Sequence, residues 1–383
     1  MKKINHRTVF LIPSLDTGGA EKIIKLIYDN IDIDRELYTY NEDDGEAKLD
    51  SDWVKGRVIK FLWRIFSLSV KTKQNKVKNV ISFLNNANIV NLLSIGNHKR
   101  IISVRSYTSR ILSTMGLYGK VYKKILSLLY RKADLIITPS EGVAQDLIDE
   151  LLLSRNKIKV IYNPVHLNKI ALKMHESASE INSGCKYIIN IGRLSHPKGQ
   201  WHLIRAFKKV KFELPFLNLV ILGEGPLREK LSKLITELEL TNSVKLIGYR
   251  DNPYKYLKGA KAYILSSLYE GFPNSILDAM ACGVPVVSSN CLSGPDEIIS
   301  GEIKKVNRIS YEKYGVLVPV LSDKFNWTSD ELDESEMKLS EAIVSIVKDE
   351  ALNKKYSEKS VERAKSFALN KIISKYEDII NEI

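Results

Sequence analysis

Residues 266–287 read SSLYEGFPNSILDAMACGVPVV. This pattern predicts a strand, a loop and a helix, in that order. Pro273 stands near the predicted helix start, where its missing N–H leaves no hydrogen bond unmade. The amides of Asn274 and Ser275 then face out of the helix N-terminus, which attracts phosphate oxygens. The stretch therefore predicts an α/β unit with an anion site at the start of a helix.

Two carboxylates flank this predicted phosphate site. Glu270 precedes the helix, and Asp278 lies about one turn inside it. Acids on either side of a phosphate site suggest that each one binds the hydroxyl groups of a different sugar. The alternative is ordinary solvation of Glu270 in a loop and of Asp278 on a helix surface. The neighbouring loops favour the first interpretation.

One neighbouring loop carries two cations. Residues 191–194 read Ile-Gly-Arg-Leu and follow a predicted strand, with Lys198 shortly after them. Arg193 can hold a phosphate with two hydrogen bonds, and Lys198 supplies a point charge. At the carboxyl edge of a sheet, these cations indicate a diphosphate site. The alternative is that both are solvated on the surface.

Two further loops are rich in glycine. The segment 14–21 joins the first predicted strand to a helix, and Gly18 and Gly19 there permit close approach of a ligand. A tight strand–helix turn is the alternative. Gly223-Glu224-Gly225 resembles part of a dinucleotide fingerprint whose third glycine is missing. We interpret it as a contact to a nucleotide base or sugar, without NAD binding.

Strands alternate with helices in both halves of the chain, which indicates parallel sheets covered on both faces. The predicted fold class is therefore α/β with two doubly wound domains, and the cleft between such domains is the default ligand site. A polar segment, 174–184, is the predicted linker. Strands are predicted at 8–13, 79–83, 100–104, 135–138, 157–161, 187–191, 218–222, 244–247, 262–265 and 285–288.

The chain has 383 residues, of which 44% are apolar and 27% are charged. This composition excludes a long disordered protein, and the length favours two domains. Cys185, Cys282 and Cys291 show no disulfide or zinc spacing, which predicts reduced thiols in a cytosolic protein. No apolar segment follows the N-terminal residues, and asparagines interrupt the longest uncharged stretch, 79–97. The sequence thus predicts neither a secretory signal nor a membrane span.

The net charge of +13 is concentrated in one region. Residues 53–133 contain 17 Lys and Arg and no Asp or Glu, so the rest of the chain carries 13 − 17 = −4. A solvated face is one interpretation, and attraction to an anionic membrane is another. Nucleic-acid binding is not predicted, because no motif for it occurs.

Two segments of this basic region combine apolar residues at helical spacing with cations and aromatic rings, which is typical of helices that lie on a membrane. Core packing is the alternative. The first segment, 53–78, contains Trp53, Val54, Lys55, Arg57, Val58, Lys60, Phe61, Leu62, Trp63, Arg64, Ile65 and Phe66. The second segment, 115–132, contains Tyr118, Tyr122, Lys123, Lys124, Tyr130 and Arg131.

The ordered set of motifs resembles glycosyltransferase family 4, whose GT-B fold has two Rossmann-like domains facing a central cleft. The resemblance covers most of the chain and is strongest from Ile189 to Val318, where SGPDEII stands at 293–299 and GVLVP follows at 315–319. It also includes GGAE at 18–21. It implies an acceptor-binding domain at 1–168, a nucleotide-sugar-binding domain at 185–365, and a C-terminal helix, 366–383, that returns to the first domain.

The resemblance implies retaining, metal-independent transfer from a nucleotide sugar. The catalytic candidates are Arg193 and Lys198, which would neutralise the departing diphosphate, and Glu270, which would bind hydroxyls of the donor sugar. Asp278 would hold the ribose, where the family usually has Glu, one methylene longer. The donor-binding candidates are Gly18, Gly19, Gly192, Glu224, Gly271, Phe272, Pro273, Asn274, Ser275 and Asp278.

Many members of the family carry a His after a central strand of the first domain. Here that region contains Arg105 and Ser106, which become acceptor-side candidates without an assigned general base. His98 lies earlier and is predicted to be a surface residue. The triplet 32–34, Asp-Ile-Asp, imitates the metal motif of another glycosyltransferase fold, but it follows a helix and is interpreted as a turn. We expect no metal and no other cofactor.

Within the family, the sequence is most similar to bacterial enzymes that build O-antigen, capsule and lipid-linked oligosaccharides. This implies a UDP-hexose or UDP-N-acetylhexosamine donor, a polyprenyl-diphosphate-linked acceptor, and a peripheral position at the cytoplasmic face of the membrane. The basic region 53–133 would then bind anionic lipid. The alternatives are a sugar-nucleotide epimerase, a phosphorylase and a non-catalytic scaffold. The residues that the first two need are not found, and the intact Arg193, Lys198 and Glu270 argue against the third.

Overall fold

Two seven-stranded sheets organise the chain. The computed structural model describes residues 7–15, 18–40, 47–51, 54–178, 180–181, 184–328 and 331–383. They belong to two compact units: unit 1 is Met1–Pro164 with Asn370–Ile383, and unit 2 is Val165–Leu369. The α/β fold class, with one doubly wound sheet in each unit, is confirmed.

Unit 1 alternates strands and helices. In chain order it contains β1 (Thr8–Leu11), α1 (Gly19–Asn30), β2 (Arg35–Thr39), β3 (Ala47–Lys48), α2 (Arg57–Gln74), β4 (Asn79–Phe83), α3 (Asn85–Leu93), β5 (Lys99–Ser103), α4 (Thr108–Ser113), α5 (Gly116–Tyr130), β6 (Leu135–Thr138), α6 (Glu141–Leu151) and β7 (Ile158–Val160). The strand order is β3-β2-β1-β4-β5-β6-β7, and all pairs are parallel.

Unit 2 repeats this arrangement. It contains α7 (Leu167–Lys173), β8 (Tyr187–Ile191), α8 (Gln200–Glu213), β9 (Asn218–Leu222), α9 (Arg228–Glu237), β10 (Val244–Gly248), α10 (Tyr254–Leu257), β11 (Tyr263–Leu265), α11 (Asn274–Ala281), β12 (Val286–Ser289), α12 (Pro295–Ile299), β13 (Ser310–Tyr311), β14 (Val316–Val318), α13 (Glu334–Lys348) and α14 (Glu350–Ala364). The strand order is β10-β9-β8-β11-β12-β14-β13, with β13 antiparallel to β14. The last helix, α15 (Leu369–Glu382), belongs to unit 1 from Asn370 onward.

The central strands are almost wholly buried. β1 and β4 have no exposed residue, because a parallel sheet is covered by helices on both faces. In unit 2, α8 supplies Trp201 and Phe207 to the core that covers β8 and β9. These buried strands fix where the loops at their ends emerge, and the candidate site residues lie on those loops.

The helix α2 is apolar on two sides. Phe61 and Ile65 pack against the core of unit 1, whereas four other apolar side chains on the helix are 58–72% exposed. We call these four the outer face of α2: Val58, Ile59, Leu62 and Phe66. Core packing therefore explains only part of the apolar pattern. Trp53 lies outside the described residues.

The helix α5 also exposes apolar side chains. Five of them are 45–78% exposed and form the outer face of α5: Leu117, Tyr118, Val121, Ile125 and Leu128. The opposite side of the helix buries Leu126 and Tyr130 in the core. Across the described ranges of the chain, no helix combines the length and the apolar character that crossing a bilayer requires.

Arg64 has a structural contact that the sequence pattern did not indicate. Its Nε and Nη2 atoms donate to the two carboxylate oxygens of Asp50 at 2.6 and 2.7 Å, and its guanidinium lies 4.0 Å from the ring centre of Tyr40. Asp50 is buried, so this pair ties α2 to the segment that precedes it. Arg64 therefore belongs to the packing of unit 1 and not to a surface free for lipid.

The prediction that His98 is a surface residue is wrong, because His98 is 3% exposed. The loop between α3 and β5 brings its Nε2 atom 3.2 Å from the Ser94 hydroxyl, which itself donates to the Asn91 carbonyl at 2.7 Å. The Ser94 hydroxyl proton is used in the bond to Asn91, so His98 Nε2 is the donor in the contact between His98 and Ser94. Burial, with a smaller contribution from Arg100, lowers the pKa of His98 to about 4.

Mild acid should therefore destabilise unit 1. The unfolded chain protonates His98 near pH 6.5, whereas the folded protein resists protonation until about pH 4. The stabilisation is complete above pH 6.5 and is lost as the pH falls towards 4. We expect the wild type to lose about 2 kcal/mol more unfolding free energy between pH 7 and pH 5 than His98→Gln does. Denaturant titrations at both pH values measure this difference, and equal losses in the two proteins would contradict it.

Candidate active site

The sheet of unit 2 has a topological switch point between β8 and β11. These strands are neighbours, with Ile189 opposite Tyr263, although β9 and β10 separate them in sequence. From β8 the chain winds to one side of the sheet, and from β11 it winds to the other. Loops at the carboxyl ends of such strands form the usual ligand site of this architecture. The two loops here are 192–199 and 266–273, which carry the predicted catalytic residues.

An ion pair joins these two loops. Lys198 Nζ donates to Glu270 Oε1 at 2.5 Å, and Ser267 Oγ donates to the same oxygen at 2.7 Å. The side chains of Lys198 and Glu270 are 26% and 11% exposed, so the pair is partly shielded from water. With Oε1 held by two donors, Oε2 is the oxygen left to accept a hydrogen bond from a ligand hydroxyl.

Arg193 is the exposed cation of the loop after β8. Its guanidinium forms no ion pair or hydrogen bond with residues that the structure describes. Its backbone is fixed, because Gln200 Nε2 donates to the Arg193 carbonyl at 3.1 Å and the next residue, Leu194, is fully buried. A flexible, charged side chain on a fixed backbone is suited to binding an anion at this edge.

The loop after β9 packs directly on the loop after β8. A Cβ atom on Gly223 would lie 1.9 Å from the Gly192 carbonyl oxygen, and one on Gly225 would lie 2.4 Å from that of Leu194. Both glycines also have positive φ angles of 146° and 158°, which other residues rarely adopt. Close backbone packing thus explains this glycine pattern without a dinucleotide. The Glu224 side chain is exposed and accepts a hydrogen bond from Arg228 at 2.8 Å.

The start of α11 lies on the loop after β11. Pro273 is the N-cap, so Asn274 and Ser275 occupy the first turn, where amides have no intrahelical partner. The Ser275 hydroxyl accepts a hydrogen bond from the buried Tyr263 at 2.7 Å, which leaves the Ser275 proton available for a ligand. Phe272 is 6% exposed and packs against Phe367, with ring centres 5.9 Å apart.

Two donor-binding candidates flank this helix start. Gly271 and Asp278 are both partly exposed. Asp278 lies on α11 and raises the pKa values of Tyr254 and Cys282 by its charge, in addition to their burial.

The glycine pair Gly18-Gly19 lies at the start of α1 in unit 1. Gly18 is the N-cap, and a Cβ atom there would lie 2.0 Å from the Glu21 carboxylate, which folds back over the helix start. A Cβ atom on Gly19 would meet nothing within 4 Å, so its surroundings are open. The neighbouring Asp16 and Thr17 of this motif lie outside the described residues. The Asp-Ile-Asp triplet at 32–34 falls in the turn between α1 and β2, where Asp34 pairs with Arg7 at 3.6 Å.

The acceptor-side candidates follow β5. Arg105 donates to Asn163 Oδ1 and, at 3.5 Å, to the hydroxyl of Tyr376 on α15. These contacts tie the loop after β5 to the loop after β7 and to the C-terminal helix. Ser106 is partly exposed beside it. The structure thus gives Arg105 a packing role within unit 1, whatever contact it makes with an acceptor.

Ser267 and Tyr263 support the site, although neither role was predicted from the sequence. The sequence signal was present for Ser267, which stands three residues before Glu270 in the quoted stretch. Tyr263 lies in a buried strand, where an aromatic residue indicates only packing. Its hydroxyl contact with Ser275 becomes visible only when the strand and the helix start are brought together.

The variant Ser267→Ala should lower kcat/KM for sugar transfer about tenfold. It removes one of two donors on Glu270 Oε1, and hydrogen bonds to charged groups contribute about 1.5–3 kcal/mol. We expect a loss at the lower end of this range, because Lys198 still donates to the same oxygen. Ser232→Ala, on the exposed surface of α9, is the matched control. Steady-state kinetics on both variants measure the effect, and equal rates would show that Ser267 does not position Glu270.

Comparison with known proteins assigns the family. Residues 174–314 match a family model described as "Glycosyl transferases group 1", and residues 53–169 match one described as "Glycosyltransferase Family 4". An uncharacterized glycosyltransferase of Methanocaldococcus jannaschii is 36% identical over 275 residues, which cover 69% of this chain and 68% of that protein.

A second relative matches nearly the whole chain. It is the N-acetylgalactosamine-N,N'-diacetylbacillosaminyl-diphospho-undecaprenol 4-alpha-N-acetylgalactosaminyltransferase of Campylobacter jejuni, 30% identical over 378 residues, 94% of this chain and 95% of that protein. The crystal structure of HepE from Anabaena in complex with UDP has a TM-score of 0.79 at 17% identity, and the match covers 98% of this chain and all of that one. At that identity the likeness supports the fold alone. The sequence relatives, both family models and the two doubly wound sheets together establish that this chain is a GT-B glycosyltransferase of family 4.

Proposed function

We propose that this glycosyltransferase moves a hexose or N-acetylhexosamine, with retention, from a UDP-sugar to a polyprenyl-diphosphate-linked saccharide during assembly of a surface polysaccharide such as O-antigen, lipopolysaccharide or capsule. The observation that carries the proposal is the near full-length match to the Campylobacter jejuni enzyme, whose name describes a diphospho-undecaprenol-linked acceptor and an alpha product. UDP-hexosamines are themselves alpha-linked, so an alpha product corresponds to retention.

The site of unit 2 fits a nucleotide-sugar donor. Transfer breaks the bond between C1 of the sugar and the diphosphate oxygen, so negative charge grows on the departing UDP. Arg193 and Lys198 supply positive charge for the departing UDP. Glu270 Oε2 accepts hydrogen bonds from hydroxyl groups of the sugar. Charge stabilisation of this kind is usually the largest contribution to the rate. HepE, whose fold this chain shares, was crystallised with UDP, and UDP is therefore the nucleotide to test first.

A ligand panel tests the donor. Thermal melts of the wild type with UDP, GDP, ADP and several UDP-sugars should show selective stabilisation by UDP compounds. A ligand at 100 times its dissociation constant adds about 2.7 kcal/mol to stability. Mass spectrometry of a polyprenyl-diphosphate-linked acceptor then detects the added sugar, and the coupling constant of its anomeric proton reports retention. Stabilisation by GDP alone would overturn the donor class, and a beta product would overturn retention.

Transfer should not depend on a metal ion. Among the described residues, one group of possible ligands is close together, namely His202, Asp333 and Glu336. His202 and Glu336 already bond each other, and Arg205 also donates to Glu336. The backbone amide of Glu336 donates to Asp333 at the start of α13, so protein partners occupy these atoms. We expect an excess of EDTA to leave the rate unchanged. A loss of turnover that Mg²⁺ or Mn²⁺ restores would contradict this expectation.

We further propose that the basic region 53–133 holds the enzyme peripherally on the cytoplasmic face of the membrane, where its acceptor resides. The outer faces of α2 and α5 expose apolar side chains in a region with 17 cations and no acids. Apolar contact combined with positive charge is the chemistry that binds an anionic lipid surface.

The double variant Leu62→Ser/Phe66→Ser tests this docking. Vesicle binding should weaken at least tenfold, because two exposed apolar side chains would no longer enter the lipid layer. Phe212→Ser, at a still more exposed Phe of unit 2, is the control. Cosedimentation with vesicles of phosphatidylglycerol and phosphatidylcholine measures binding. If the double variant binds as the control does, the outer face of α2 is not the docking surface.

A further inference from the structure

A cavity of about 960 Å³ lies in unit 1 at the amino ends of β4 and β5. It forms where the C-terminal ends of α2 and α3 meet the loop 94–98 and Lys132, which follows α5. Because the sheet is parallel, this edge is opposite the one that carries Gly18, Gly19 and Arg105. The cavity is therefore separate from the acceptor-side candidates of the same unit.

The cavity is positively charged. Among the described residues that line it there is no acid, but there are five cations: Lys73, Lys76, Lys78, Arg100 and Lys132. The lysines are exposed and make no ion pair with any residue in the described ranges. The partial negative charge at the end of α2 favours a lysine in its last turn, which accounts in part for Lys73. Arg100 donates to the carbonyls of Ser94 and Gly96, so it also holds the loop of the cavity. The other three lysines lie outside helices, so helix stabilisation does not explain their convergence.

His98 adds an unpartnered acceptor to the wall of this cavity. Its Nε2 atom donates to Ser94, and its Nδ1 atom is buried without a hydrogen-bond partner in the described structure. A Cβ atom on Gly96 would lie 2.8 Å from Nδ1, so glycine at this position avoids a collision with the ring. A buried acceptor without a partner is unfavourable, and a hydroxyl of a ligand would satisfy it.

Apolar surface leads to the cavity from two helices. On α2, Ile59, Leu62 and Phe66 are followed by Lys73 at helical spacing, so the cation continues the outer face of that helix. On α5, Ile125 and Leu128 are followed at helical spacing by Lys132, which lies just after the helix. The rim also carries Ile95, which is 81% exposed. Apolar side chains beside a cationic cavity match the interface of a membrane.

We propose that this cavity binds the phosphate headgroup of an anionic phospholipid, while Ile95 and the outer faces of α2 and α5 contact the lipid layer. The inference rests on the membrane docking proposed above and identifies the part of the surface that selects anionic lipid. The lysines and Arg100 neutralise the phosphate. A headgroup hydroxyl, as in phosphatidylglycerol, supplies the donor that His98 Nδ1 lacks.

Two matched charge variants of the full chain test the cavity. Lys73→Gln/Lys76→Gln/Lys78→Gln removes three charges from it, and Lys159→Gln/Lys371→Gln/Lys375→Gln removes three from exposed positions elsewhere in unit 1. Vesicles of phosphatidylglycerol and phosphatidylcholine should bind the cavity variant at least tenfold more weakly than the control variant. Vesicles of phosphatidylcholine alone should not distinguish the two. Equal binding of both variants to the anionic vesicles would overturn the proposal.

Inorganic phosphate distinguishes lipid from a soluble anion. Ile95→Ser should weaken vesicle binding and leave the response of the His98 NMR signals to inorganic phosphate unchanged. If phosphate shifts those signals only when the cavity lysines are present, but both charge variants bind vesicles equally, the ligand is a soluble phosphate and the lipid assignment is wrong.

The outcomes also separate this inference from the proposed function. If Leu62→Ser/Phe66→Ser loses vesicle binding while the two charge variants bind equally, docking stands and the cavity assignment fails. If the wild type does not bind anionic vesicles, docking and the cavity fail together. Transfer to a short-chain, water-soluble acceptor should stay unchanged in the cavity variant, because the cavity lies at the edge of the unit 1 sheet opposite the acceptor-side candidates.

Discussion

Arg193→Ala should lower kcat for sugar transfer by about 100- to 1,000-fold, which is the usual cost of losing one group that stabilises transition-state charge. Arg193 lies on a loop whose backbone is held by Gln200, so the substitution removes charge without loosening the loop. Its guanidinium forms no ion pair within the described residues, whereas Lys198 already pairs with Glu270. Arg193 should therefore interact more strongly with the departing diphosphate than Lys198 does.

Arg308→Ala provides the matched control, because Arg308 is an exposed arginine of the same unit. Kinetics with saturating donor measure kcat, and thermal melts with UDP report whether nucleotide binding survives. Arg193→Lys should recover part of the rate, since lysine keeps the charge and loses the two-point grip on phosphate. A rate for Arg193→Ala within threefold of the control would show that the charge on UDP is stabilised elsewhere.

The strands that the sequence predicts best are those without polar interruption. The bounds predicted for 187–191 and 218–222 agree with β8 and β9, because these buried strands are nearly continuous apolar runs. β2 was missed, since it begins with Arg35 and Glu36 and only its second half is buried. β3 and β13 have two residues each, too few for any periodicity. Edge strands of this kind depend on the neighbouring strand and not on their own sequence.

The loops of the candidate site could be predicted, but the bonds within them could not. Gly192, Arg193 and the stretch after β11 were identified because strand, loop and helix follow each other in sequence. The Lys198–Glu270 pair joins residues 72 positions apart, so it depends on β8 and β11 being neighbours in the sheet. His98 was misjudged for a related reason, because burial by a local loop leaves no trace in a pattern of apolar residues.

A buried network of polar and charged side chains joins α8 to α13 in unit 2. Glu336 is fully buried, and its Oε1 atom lies 2.8 Å from His202 Nδ1 and 2.9 Å from Arg205 Nε. His202 Nε2 lies 2.8 Å from the Ser322 carbonyl oxygen. Arg205 also donates to the Glu331 carbonyl at 2.9 Å. One buried carboxylate thus bonds both Arg205 and His202 between α8 and α13.

Glu336→Ala should therefore reduce the unfolding free energy by about 3–5 kcal/mol, because it leaves the buried Arg205 without its counter-charge and His202 without a hydrogen-bond partner at Nδ1. The variant also loses the capping box with Asp333 at the start of α13. A loss of this size lowers the melting temperature of a domain of this length by about 10 °C. Glu334→Ala is the control, because it removes an exposed carboxylate from the first turn of the same helix and leaves no buried charge unpaired. It should lower the melting temperature by only about 1–2 °C. Calorimetry of the two variants compares them directly. Equal shifts would mean that water or another acid reaches Arg205 and His202, and that α13 is held by its apolar face alone.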